Sequence, residues 1–154
     1  MAQLTVNEAA VGGFSHKFAF DYVDLQRTGF LSTLGAANQK IIGELPAGGI
    51  ITDAVLSQVV DPAGTTDLTI DFGWTAADPD ELLDNGDVDG ATQILYNTGD
   101  AFAQSTTGAT LPIKGASNNT TSAVDLYLEF NGTHANLTAG SWVLAWRQLN
   151  PPTS

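Results

Sequence analysis

The sequence predicts an all-β protein, a two-sheet jelly-roll or related Greek-key sandwich of about eight antiparallel strands with one short helical turn. Three observations predict it. Apolar and polar residues alternate with period two in several separate segments, placing successive side chains on opposite faces of a strand. Gly, Pro, Asn and Asp punctuate the gaps between those segments. No window sustains a helical period. At 154 residues the chain is the size of one ordinary domain and can bury a core without staples. It has no Cys, so neither a disulfide nor a thiolate metal site holds the fold together.

Taken in order, Gln3 to Val6 reads as a first strand, lying on an edge or reaching out within an arm of residues 1–13 that ends in Gly12-Gly13. The sandwich proper is expected over 14–150, followed by a short tail, 151–154. In 14–22, Phe14, Phe18, Phe20 and Tyr22 share one face and Ser15, Lys17 and Asp21 the other. Leu45-Pro46-Ala47-Gly48-Gly49-Ile50 supplies a turn, with Pro at its preset φ and Gly following. Segment 50–60 is apolar on both faces, as expected of a central strand or one covered by a partner. Asp61-Pro62-Ala63-Gly64 reads as another tight turn.

From Asp67, the residues Leu68, Ile70, Phe72 and Trp74 oppose Asp67, Thr69 and Asp71. A short helix is expected over 78–83, with Asp78 as cap, Pro79 at the first helical position and acidic residues at the positive dipole end. Asn85-Gly86 would end it. Residues 97–123 read as long loops with one strand around 100–113. Val124, Leu126, Leu128 and Phe130 then oppose Asp125 and Glu129, and Trp142, Leu144 and Trp146 oppose Ser141 and Arg147. Leu137-Thr138-Ala139-Gly140 echoes the earlier Leu-Pro-Ala-Gly turn.

Charge narrows the function. Seventeen acidic residues stand against five basic ones, for a net charge of −12. Lys17, Arg27, Lys40, Lys114 and Arg147 are scattered singly, so no basic stripe exists to displace counterions from a phosphate backbone. Nucleic-acid binding is excluded on that ground. No apolar run approaches a membrane span, and the N-terminus lacks the basic-then-apolar pattern of a secretory signal.

The candidate chemistry is thin. Asn85, Asp87 and Asp89 followed by Gly90 match the opening of a calcium loop, but the twelfth position, which needs a bidentate Glu, is Tyr96. A looser hard-cation site would use Asp84, Asp87 and Asp89. A solvated turn after the short helix is the preferred reading of these residues, so no cofactor is expected. His16 and His134 are the two histidines. Neither lies beside a nucleophile signature or at zinc-ligand spacing. His16, on an aromatic face, reads as a packed or interface residue. No phosphate-binding loop occurs, and the sequons at Asn118, Asn119, Asn131 and Asn136 read as turns. Trp74, Trp142 and Trp146 sit on apolar strand faces, which assigns them to the core rather than to sugar stacking. No catalytic residue is assigned, and the expectation is a non-enzymatic module.

The segments FSHKFAFDYVDL, IIGELPAGGIITDAVLSQVVDPAGTTDLTIDFGW and LTAGSWVLAWRQL resemble small jelly-roll head decoration (cement) proteins of tailed bacteriophages. The resemblance implies a structural protein made in the host cytoplasm. It would sit on the outer surface of the virion, bound to the major capsid protein, as a homotrimer. Ile51, Val55, Val59 and His16 are the interface candidates. The alternative is a carbohydrate- or receptor-binding jelly-roll module of a tail or fibre, using loops 84–100 and 115–122.

Overall fold

The computed structural model describes residues 3–6, 13–34, 37–64, 67–88, 94–96, 98–99, 116–118 and 120–151. The described strands are β1 (Gln3–Val6), β2 (His16–Asp21), β3 (Ser32–Leu34), β4 (Ala37–Leu45), β5 (Ile50–Ala63), β6 (Thr69–Gly73), β7 (Leu83–Asp87), β8 (Ile94–Tyr96), β9 (Ala116–Ser117), β10 (Val124–Asn131) and β11 (Ala139–Leu149). They form two antiparallel sheets. Sheet A runs β1-β2-β11-β5-β8, with β9 also paired to β5, and sheet B runs β3-β4-β10-β6-β7. With β1, β3 and β9 set aside, the other strands in chain order fall as first, eighth, third, sixth in one sheet and second, seventh, fourth, fifth in the other. That is the strand order of a jelly roll.

The alternating apolar faces meet between the sheets. Phe18 and Phe20 of β2, Leu56 of β5, Ile70 and Phe72 of β6, Leu126, Leu128 and Phe130 of β10, and Trp142, Leu144 and Trp146 of β11 are all buried. Each such side chain contributes roughly 1.5–3 kcal/mol by leaving water. Phe20 stacks on Trp142 at 5.4 Å and meets Phe130 edge-on at 5.3 Å. The Phe130 contact ties sheet A to sheet B. Trp142 and Trp146 belong to the core, as their alternation predicts.

Segment 50–60 is apolar on both sides for a geometric reason. Arg147 pairs with Asp53 while the next residue, Gln148, pairs with Ile51, so Thr52 is an extra residue on β5. This bulge lets both Ile51 and Ala54 point inward. A second shift comes where Trp142 pairs with Gln58 and Ser141 with Val60. The strand runs on to Ala63, through the stretch read as a tight turn. Pro62 is tolerated there because the β5–β11 register is irregular. The chain turns only at Gly64, whose φ is +95°.

The expected helix over 78–83 does not form. Leu82 and Leu83 are both fully buried, Leu83 opens β7, and the Leu82 amide donates to the Phe72 carbonyl at 2.9 Å. Glu81, instead of favouring a helix dipole, accepts from the Trp74 amide at 2.8 Å and from the Thr75 amide at 3.3 Å. Six residues make a marginal helix in water, and core burial outweighs it. Residues 74–82 become a strap across the outer face of sheet B. A helix lies instead at α1 (Tyr22–Gln26), starting at the last residue of the segment 14–22 read as strand. Its capping box pairs the Asp21 side chain with the Asp24 amide and the Asp24 side chain with the Asp21 amide. The strand expected around 100–113 lies outside the described residues.

Candidate functional site: the outer faces of the two sheets

Two surfaces of the sandwich merit attention, and both follow from register. On sheet A, the residues alternating away from the core line up across strands. Ala19, Val143, Ser57 and Ile94 form one row, being successive cross-strand partners on β2, β11, β5 and β8. Lys17, Ala145 and Val55 form the next, then Arg147 and Asp53, then Leu149 and Ile50. Ile94 is 70% exposed, Val59 58% and Leu149 52%. In a strand face turned to water these would ordinarily be polar. The charge here nearly cancels: Lys17 and Arg147 stand with Asp21 and Asp53, and Arg147 lies 3.8 Å from the Asp53 carboxylate. An open cleft of about 230 Å³ at one end is lined by Asp21, Asp24, Val59, Trp142 and Val143 among others. The Trp142 Nε1 is buried and finds no hydrogen-bond partner.

The interface candidates separate on this geometry. Val59 is well exposed and Val55 half-buried on the outer face. Ile51 is 0% exposed, turned inward by the bulge, and so offers no surface to a partner. His16 stacks on Trp146 with ring centroids 5.0 Å apart, and its Nδ1 lies 2.8 Å from Ser15 Oγ. Burial lowers its pKa below 6.5, because an imidazolium loses hydration there. The Ser15 hydroxyl also accepts from the Gln148 amide at 2.8 Å. His16 is thus a packed residue at the end of the core. His134 lies in a 3-10 turn, His134–Asn136.

On sheet B, the outward row is not solvated as its alternation predicts. Gln39, Glu129 and Asp71 are successive cross-strand partners on β4, β10 and β6. They are 0%, 6% and 3% exposed. The Gln39 amide donates to Glu129 Oε2 at 2.6 Å and to the Ala76 carbonyl of the strap at 2.8 Å. Asp71 accepts from the Asn131 side-chain amide at 2.9 Å and from the backbone amide of Asn85. Burial pushes the Asp71 pKa up to about 6; the Asn85 hydrogen bond opposes the rise, and the charges of Glu129, Asp84 and Asp78 reinforce it. Sequence reading missed this row. The strap that covers it includes most of the stretch 78–83 read as a helix.

Asp84 and Asp87 lie on β7, Asp89 lies outside the described residues, and the described residues hold no group of three or more metal-ligating side chains. The Asp84 carboxylate is engaged by the Asn85 side-chain amide at 2.6 Å. Asn118, one of the sequon residues, is buried. It donates to the Leu45 and Ser122 carbonyls and accepts from Thr120. That is the chemistry of a turn. Asn119 lies outside the described residues. Among the described residues no helix is long and apolar enough to cross a membrane.

The chain matches no protein-family model, no curated protein and no solved structure.

Proposed function

We propose that this protein is a capsid decoration protein, a non-enzymatic structural component of a phage virion that docks on the outer surface of the head and stabilises it as a trimer. The observation that carries the reading is the outer face of sheet A. Val59, Ile94 and Leu149 stand exposed on a strand framework whose other face is locked into the core. A rigid face of this kind loses little entropy on docking. The near balance of charge there lets it approach an acidic partner that the rest of the surface would repel. The resemblance of the FSHKFAFDYVDL and LTAGSWVLAWRQL segments to phage cement proteins supplies the partner, the major capsid protein.

Native mass comes first as the test, followed by co-sedimentation with expanded, DNA-free heads of tailed phages. The expected result is a species near three times 16.1 kDa that pellets with heads. Val59→Lys and Ile94→Lys should cut pelleting at least tenfold with the unfolding midpoint unchanged. Pelleting by both variants at wild-type levels would overturn the docking face. A monomer that ignores heads but binds a glycan array would overturn decoration in favour of a carbohydrate- or receptor-binding module.

A further inference from the structure

Asp71 and Glu129 face each other across β6 and β10, both more than nine-tenths buried. Directly opposed like charges destabilise a sheet even when solvated, and these two are sealed under a strap. The charged groups acting on Asp71 are Glu129 from β10, Asp84 from β7 and Asp78 from the strap, all acidic. On β4, the residue in the row is Gln39, which is neutral. Its neighbour Lys40 turns away, with Nζ 3.3 Å from the Phe30 carbonyl and 4.5 Å from the Phe30 ring centroid. Glu81 of the strap is held by Trp74 and Thr75. The strap and β7 share in the cluster's hydrogen bonds, since Ala76 accepts from Gln39 and Asn85 donates to Asp71. The Gln39 Oε1 is buried without a partner.

We propose that this row is a proton-linked latch: the strap 74–82 and β7 stay seated on sheet B while Asp71, buried opposite Glu129, holds a proton, and they loosen when that proton leaves to solvent. Opening wets both carboxylates and relieves their repulsion. The direction follows from the raised Asp71 pKa, about 6 against an ordinary 3.8. The unfolded or opened form gives up the proton first, so the seated form loses its advantage as pH rises from about 4 to about 6. The latch rests on none of the docking argument.

The test is amide hydrogen exchange of residues 74–88 between pH 4.5 and 7.5, corrected for intrinsic rates, together with carboxyl NMR titration of Asp71. In the wild type, protection of this segment should fall by roughly 25-fold across the range, the part of the ~2 pK-unit effect that lies above pH 4.5. Asp71→Asn should flatten the profile, while Asp125→Asn, exposed on β10, should leave it unchanged. If Asp71→Asn fails to fold, Glu129→Gln takes its place and should move the loosening to lower pH by removing the opposing charge. A profile that is flat in the wild type, or equally steep in Asp71→Asn, overturns the latch. So does one unmoved by Glu129→Gln.

Discussion

Replacing Gly73 with Ala tests the seating of the strap. A Cβ at Gly73 would overlap Glu81 Oε2 and stand 2.8 Å from the Pro79 carbonyl carbon and 2.9 Å from the Glu81 amide nitrogen. The Glu81 carboxylate can swing away, but only by giving up its bonds to the Trp74 and Thr75 amides and to the Thr75 hydroxyl. Each of these is worth about 1 kcal/mol net. The backbone contacts are harder to relieve, because 2.8 Å must open to the 3.4 Å of ordinary contact. Overpacking of this kind costs about 1–3 kcal/mol. Together the terms predict a loss on the order of 4–6 kcal/mol. Urea unfolding measures it, and an unchanged m-value would show that the compactness of neither state had shifted. Gly29→Ala is the control. Gly29 has φ +81° but nothing within 4 Å of a Cβ, so it carries only the left-handed backbone penalty of about 1–2 kcal/mol. A Gly73→Ala loss below about 0.5 kcal/mol would refute the claim that the strap lies pressed on sheet B.

Asp21→Ala removes half of the capping box at α1 and should cost about 1 kcal/mol, read as a lowered denaturant midpoint. Trp146→Ala empties a fully buried site that stacks His16 and touches Phe72, with an expected loss of about 3–5 kcal/mol in the same measurement. His16 should titrate below 6.5 by NMR. Its folded pKa is depressed, so the unfolded chain takes up the proton first and stability falls as pH drops below about 6.5. His16→Gln should remove that part of the acid sensitivity, and a midpoint at or above 6.5 would contradict the burial of the ring.

The sequence by itself determined the fold class and most of the core. Period-two alternation is a local property: Leu126, Leu128 and Phe130 fall on one face of any strand they form, and a sheet with one apolar face must bury it. The Leu45–Ile50 turn is likewise local, closed by the Gly49 amide on the Pro46 carbonyl at 2.8 Å. The α1 helix was legible too, in the Asp21-x-x-Asp24 spacing of a capping box, but the aromatic alternation ending at Tyr22 masked it.

Only the tertiary structure decided the rest. Strand order is set by which edges meet, and alternation carries no record of it. Ile51 reads as a surface candidate until the extra residue at Thr52 turns it inward. Asp71 and Glu129 read as solvated positions because their neighbours in sequence are apolar. Their burial depends on a strap that Leu82 and Leu83 pull across the sheet, and on a register that sets two carboxylates face to face. A one-residue slip in that register would send every one of these side chains to the opposite face, so the acidic row exists only in the assembled fold.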